Sequence, residues 1–241
     1  MLNKESNVKS YLVTGGSGGI GRAIVKDLAE NYLVYNLDQK APDAKLKGEI
    51  FIRTDLTSSD SIQSALYSIK KEQLCGIVYS AGYGGPFVDI TKVTEDLWDK
   101  VFSINIRGAF ILVKEFLSYF QQNRFGRIVV IASSQSIVGA KHSVAYSSSK
   151  HALIGFVKSI ADEWGEYGIT ANAISPGYVD TAMGVQENEV SDHLKKILDK
   201  TPSKKIAKPE EISRIVKFLI SEESGYINGA NIVVDGGITA I

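Results

Sequence analysis

One cysteine in 241 residues, five prolines, two tryptophans and no net charge mark what this sequence lacks. Cys75 alone cannot form an internal disulfide, and its place in the apolar stretch LCGIVYSAG suits a small buried hydrophobe better than a reactive thiol. The 27 basic residues balance 27 acidic ones, with a sequence pI near 6.8. That balance removes the electrostatic argument for nucleic acid or an anionic membrane as a partner. No apolar run approaches membrane-spanning length, and the start, MLNKESNVKSYLVTGG, has no apolar h-region. The expected setting is therefore a reduced cytoplasm, in a soluble protein. The histidines, His142, His151 and His193, have no metal-ligand spacing, so no metal is expected. His142 precedes Tyr146 closely enough to edge a pocket around it.

What the sequence does have is alternation. Short β-branched or aromatic runs at 10–14, 32–37, 49–54, 75–80, 127–133, 169–175 and 230–235 alternate with helical patterns near 19–30, 58–71, 94–121, 145–166 and 209–221. Continuous apolar strands separated by amphipathic helices predict a parallel sheet of about seven strands with helices on both faces. Right-handed crossovers make that an α/β doubly wound fold, expected as one domain over 1–241. Residues 176–208 break the pattern with Pro, Gly and charge. Ligands of such folds bind beyond the carboxyl ends of the strands, so about 182–207 is a candidate lid.

LVTGGSGGIGRAIVKDLA sets Gly15, Gly19 and Gly21 in a G-x-x-x-G-x-G spacing between the first strand and the first helix. Glycine permits a tight turn and close backbone approach, and the helix start offers N–H groups to a pyrophosphate. Ser17, Gly18 and Ile20 complete the turn. Asp38 ends the second strand, where a carboxylate can accept hydrogen bonds from both adenosine ribose hydroxyls and repel a 2′-phosphate. The reading is NAD, with NADP the lesser choice, and no basic residue in the turn offers the extra phosphate a partner. Asp55, with Leu56 beside it, follows the third strand, where it could reach the adenine amine. Ser58 or Ser59 nearby could equally be a helix cap.

In AYSSSKHALIGF, Tyr146 and Lys150 stand four apart, on one face if helical. Alone, such a pair is usually an incidental surface neighbour. Beside TGGSGGIG, however, stand YSAG (79–82), FSINIRGAF (102–110), RIVVIASSQSIVG (127–139), YSSSK (146–150), SPGYVDT (175–181) and GYINGANIVVDGG (225–237). In order and spacing this set resembles the short-chain dehydrogenase/reductase family over nearly the whole chain. The resemblance implies a Rossmann-type fold and hydride transfer between a nicotinamide and a carbinol or carbonyl carbon.

It also implies roles. Tyr146 exchanges the substrate proton, and Lys150 beside it, with the positive nicotinamide, favours the phenolate and binds the nicotinamide ribose. The serines between them are expected to point elsewhere. The family's catalytic serine stands thirteen residues before the tyrosine, which selects Ser133 (146 − 13) over Ser134 or Ser136. Asn105 would hold a water that links the lysine to solvent. Ser80, Ala81 and Gly82 would meet the cofactor, and Pro176, Gly177, Val179 and Thr181 would hold the nicotinamide end. Two positions depart from the family: Ser80 replaces an asparagine, and Ser136 a glycine. The first alternative is a 3-oxoacyl-[acyl-carrier-protein] reductase. Asp38 and Tyr167 argue against it, and Arg124, at a basic position of those enzymes, argues mildly for it. A non-catalytic dinucleotide sensor is the second alternative, although such proteins typically lose the Tyr or Lys. A small-molecule alcohol or carbonyl substrate and a homotetramer are expected, the latter also from apolar residues such as Phe116, Leu117, Phe120, Phe156 and Ile160.

Overall fold

The computed structural model describes residues 9–182 and 190–240, with side chains of 190–194 excluded. Seven strands form one parallel sheet: β1 (Ser10–Thr14), β2 (Leu33–Asp38), β3 (Glu49–Arg53), β4 (Leu74–Tyr79), β5 (Gly126–Ile131), β6 (Ile169–Pro176) and β7 (Asn231–Val234), in the order β3-β2-β1-β4-β5-β6-β7. The order reverses between β1 and β4, so a crevice opens beyond their carboxyl ends. β1, β5 and β6 are buried along their whole length, which explains runs such as SYLVT and GRIVVI with no polar alternation.

Helices cover both faces. On one, Ile24, Val25 and Leu28 of α1 (Gly19–Ala29) pack with Ile212, Val216 and Leu219 of α7 (Pro209–Leu219). On the other, α2 (Ser59–Tyr67), α4 (Gly108–Asn123) and α5 (Val144–Trp164) bury Ile62, Leu112, Phe116 and Leu153. Two further helices are α3 (Glu95–Phe102) and α6 (Val190–Lys200). Local chemistry sets the starts. Ser58 accepts the Ser61 N–H at 3.2 Å to open α2, and Thr94 accepts that of Leu97 at 3.2 Å to open α3. Pro209 opens α7, where the Glu211 carboxylate accepts the Lys208 N–H at 2.9 Å.

The helix expected over 94–121 is two helices. A π-helical turn, Ser103–Arg107, joins α3 to α4 and holds Asn105. Such turns cluster at functional sites, and an asparagine mid-helix is the local signal for one. A second expectation is corrected. Phe116, Leu117, Phe120 and Ile160 are buried core residues, because this helix face packs on the sheet. They are not surplus surface. The exposed large apolar residues on α3 and α4 are Trp98 and Phe110.

Of the expected lid, 183–189 lie outside the described residues, 190–200 form α6, and the base is visible. Val179 bridges Ala207; the Ala207 N–H donates to the Tyr178 carbonyl and that of Asp180 to the Ala207 carbonyl, each at 2.9 Å. A second tie follows inside the segment, where the Ser203 N–H donates to the Gly236 carbonyl at 3.0 Å.

Candidate active site and cofactor groove

Gly15 turns at φ +68°, and a Cβ there would lie 2.9 Å from Ala81 Cα, so the turn after β1 touches the loop after β4 at the sheet reversal. The Thr14 hydroxyl fixes that loop by accepting the N–H groups of Ser80 and Ala81, both at 3.1 Å. Gly21 packs onto the Gly15 carbonyl, where a Cβ would sit 2.1 Å away. Gly18, in contrast, faces open space. It begins α1 with no side-chain cap and no acidic residue in the first turn, so the 11-residue helix presents a bare positive end. Ile20 anchors that end among the apolar residues below.

Asp38 lies beside this turn. Its Oδ2 accepts the Ser17 N–H at 3.1 Å and its Oδ1 that of Lys40 at 3.0 Å. Each carboxylate oxygen can accept two bonds, so the group retains capacity for two hydroxyls. Beneath, Asn36 Nδ2 donates to Ser17 Oγ at 3.2 Å and to the buried Glu49 carboxylate at 2.8 Å, and Arg22 pairs with the same Glu49 oxygen at 2.8 Å. Asp55 holds Thr57 through two hydrogen bonds, from the N–H at 2.9 Å and the hydroxyl at 2.7 Å, which keep its carboxyl below the usual range. That placement makes it a turn-former first. Leu56 is in the core.

The segment after β6 closes the groove. Gly177 lies against Asp235, 2.8 Å from its Cα for an added Cβ, and Val179 is buried. Thr181 places its methyl 3.3 Å from the Cβ position of Gly19, which brings 176–181 onto the glycine turn. A bare helix end, a glycine cradle and a carboxylate with spare acceptors fit a dinucleotide.

Tyr146 and Lys150 occupy the first turns of α5. Lys150 is buried, its Nζ 5.6 Å from the Tyr146 ring centre and donating to the Ile131 carbonyl at 2.8 Å. Burial lowers its pKa to about 8. Burial likewise pushes the Tyr146 phenol up, while a hydrogen bond with the Ser133 hydroxyl acts the other way. The lysine aims at a carbonyl rather than at the phenol oxygen. Gly82 leaves room here: a Cβ would be 3.4 Å from Lys150 Nζ and 3.7 Å from Asn105 Oδ1. Asn105 is fully buried, accepts the Tyr83 N–H at 2.7 Å, and donates to the Tyr83 carbonyl at 3.1 Å and Ser149 Oγ at 2.9 Å.

Ser133 lies two residues beyond β5 and caps a short turn, Ser134–Ser136, by accepting the Gln135 N–H at 3.1 Å. Two serines of YSSSK turn to partners other than the phenol and the ammonium. Ser149 donates to the Tyr146 carbonyl at 2.7 Å, and Ser147 donates to Gln135 Oε1 at 2.8 Å. Ser143 joins the same oxygen at 2.6 Å. Pattern reading missed Gln135, Ser147 and Ser149, whose partners lie on other elements. A narrow cleft lined by Pro86, Val93, Leu97, Val101, His142 and Tyr146 runs beside the phenol. His142 edges it with a left-handed backbone, φ +62°. The side chain of His193 lies outside the described residues.

This arrangement defines a dinucleotide-dependent oxidoreductase of the doubly wound class. Residues 15–239 match the family model described as "Enoyl-(Acyl carrier protein) reductase", and the chain belongs to the short-chain dehydrogenase/reductase family. The 3-oxoacyl-[acyl-carrier-protein] reductase MabA of Mycobacterium tuberculosis is 34% identical over 233 residues, covering 95% of this chain and 92% of that protein. An NAD-dependent glycerol dehydrogenase of Listeria innocua is 30% identical over 256 residues, covering 99% and 97%. Among solved structures, 4-hydroxyisoleucine dehydrogenase complexed with NADH superposes with a TM-score of 0.90 at 28% identity, covering 97% of this chain and 99% of that one. ElxO with NADP bound gives 0.88 at 26% identity, covering 97% and 100%. Among the described residues no helix is long and apolar enough to cross a membrane, and no group of side chains is suited to a metal.

Proposed function

We propose that this protein is an NAD-linked oxidoreductase that interconverts a secondary alcohol and a ketone, with Tyr146 as the group that exchanges the proton. The observation that carries the NAD reading is Asp38, seated at the glycine turn with acceptor capacity left on both oxygens. The nicotinamide supplies the hydride chemistry when bound. Gly15, Ser17, Gly18, Gly19 and Gly21 hold the pyrophosphate against the start of α1, and Ser80, Ala81 and Gly82 flank it. Pro176, Gly177, Val179 and Thr181 fix which ring face is presented.

Ser133 donates to the substrate oxygen, where charge develops as the C–O bond order changes. Tyr146 takes the hydroxyl proton in oxidation and returns it in reduction. Lys150 carries its proton close to the working pH, because burial has brought its pKa to about 8. It orients the nicotinamide ribose and favours the phenolate electrostatically. Asn105 keeps the loop at Tyr83 beside the lysine and supports the path by which a proton reaches solvent.

A screen of secondary alcohols and hydroxyacyl thioesters, followed by NADH absorbance, tests the class. Tyr146→Phe is expected to abolish turnover while NAD binding stays near wild type, since only the titrating oxygen is lost. Lys150→Ala is expected to damage both. Substantial turnover by the phenylalanine variant would sink the mechanism. The second reading, reduction of 3-oxoacyl thioesters, is favoured by the names of relatives at 34% identity, the mycobacterial reductases and an acetoacetyl-CoA reductase of Synechocystis. Acetoacetyl-CoA with NADH and NADPH in parallel separates the two.

A further inference from the structure

Behind Ser133 lies a buried line of polar groups that the reaction does not touch. The Ser133 carbonyl accepts two bonds from Ser136, from its N–H at 2.8 Å and its hydroxyl at 2.5 Å. Ser136 Oγ is also 2.7 Å from Ser175 Oγ, and Ser175 Oγ is 2.6 Å from Asn231 Oδ1. Ser136 and Ser175 are buried. Ser136 stands where the family resemblance has a glycine, so the hydroxyl is this chain's own.

The protons decide the direction of the line. Three contacts join these groups, from Ser133 O to Ser136, to Ser175, to Asn231, yet two hydroxyls bring only two protons. If Ser175 donates to an Asn231 carbonyl oxygen, the Ser136–Ser175 contact holds two oxygens and no hydrogen. The two ends of an amide are nearly the same shape, so the proton count decides which faces Ser175. With the Nδ2 end inward, Asn231 donates to Ser175, Ser175 to Ser136, and Ser136 to the Ser133 carbonyl. Every contact then carries one proton, all oriented one way.

We propose that Asn231, Ser175 and Ser136 form a one-way hydrogen-bond relay, with the Asn231 amide as its proton source, that positions Ser133 from behind. It rests on the assignment of Ser133 as the serine that serves Tyr146. The three are positioning residues. They join β7 and the end of β6, which carries Pro176 and Gly177, to the short turn that Ser133 caps. A drift of Ser133 moves the hydroxyl whose hydrogen bonding opposes the upward push of burial on Tyr146.

The test needs neither substrate nor cofactor, so its failure is distinct from failure of the NAD reading. Tyr146 ionisation is followed by phenolate absorbance in the ligand-free protein, with the Tyr146→Phe curve subtracted to isolate that residue. Asn231→Asp keeps the shape but offers only acceptors when ionised. It is expected to leave about threefold to tenfold less phenolate at any pH below the midpoint, the worth of one weakened hydrogen bond. Ser136→Ala is expected to do the same, and Ser136→Thr, which keeps the hydroxyl, to restore the wild-type curve. Melting temperatures measured alongside identify any variant that fails to fold, and the Ser136 pair then decides. Wild-type phenolate fractions in Asn231→Asp show Ser175 donating to Asn231, and the relay is overturned. Equal loss in Ser136→Thr and Ser136→Ala reduces the site to packing and also overturns it.

Discussion

Lys150 is an ammonium buried on a carbonyl, with no carboxylate partner among the described residues, and that has a pH signature. Its pKa falls from 10.5 to about 8 through burial. Below about pH 8 it is protonated both folded and unfolded, and the folded state bears the full burial penalty. Between about 8 and 10.5 the unfolded chain binds more protons, so stability rises with pH. Above 10.5 both states are neutral at this residue. Lys150→Met removes the effect, so calorimetry should show wild type gaining on the variant across that window, by on the order of 3 kcal/mol at most. A constant difference would show the ammonium to be solvated. Asp38 gives a second prediction at this scale. The wild type should prefer NAD over NADP in kcat/KM by at least about a hundredfold, roughly 2.7 kcal/mol. Asp38→Ala should narrow the gap, and adding Gly18→Arg should narrow it further. Gly18 accepts the change because its φ is −151° and nothing lies near its Cβ position. Equal efficiencies in the wild type would show that Asp38 does not face the ribose. Tyr146 and Lys150 were legible as a pair one helical turn apart, Asp38 as a carboxylate ending a strand, and Ser133 only through the thirteen-residue separation that the family resemblance implies. Gln135, Ser175 and Asn231 were not, because their partners meet only when separate strands and turns come together.

Element by element, the strands were more legible than the helices. An all-apolar run bounded by turn residues has one reading when both faces of the sheet are covered, and β1 and β2 lie within a residue of their expected bounds. The helix over 94–121 kept its period through the π turn, since one extra residue per turn shifts the apolar stripe without ending it. Burial of Phe116 and Phe120 was misjudged for a related reason: periodicity finds an apolar stripe and leaves open what the stripe meets. The glycine turn yields a sharper prediction. Gly15→Ala combines φ +68° with a Cβ 2.9 Å from Ala81 Cα, so the β1 and β4 loops must part. A loss of about 1–3 kcal/mol in stability is expected, with dinucleotide affinity falling more than tenfold. Denaturant melts and NADH fluorescence titration check the pair of effects, and an unchanged affinity would show that the two loops do not act together.

For the whole molecule, the homotetramer remains an expectation from the family resemblance, and the structure moves its physical argument to other residues. Trp98 and Phe110 are exposed, and Asp99, Phe102, Ser103, Ile106 and Arg107 line a shallow groove with Phe110. Light scattering at micromolar concentration should give four times the chain mass, and Phe110→Glu should give a smaller species. A monomeric wild type would contradict the expectation. The stitch between Val179 and Ala207 has a further consequence for the molecule as a whole. The part of the segment between this bridge and the Ser203–Gly236 hydrogen bond, 3.0 Å, is a loop closed at its base. Its length and sequence can then be rewritten with little effect on the path of the chain before or after it, since lengthening a closed loop costs only fractions of a kcal/mol, ~0.6 per doubling. The stitch lies just before Thr181, which meets the glycine turn, so in the proposed reaction new contents would be delivered to the reacting carbon. One scaffold could in this way be offered to many alcohols by exchange of a cassette, with the proton chemistry of Tyr146 left in place.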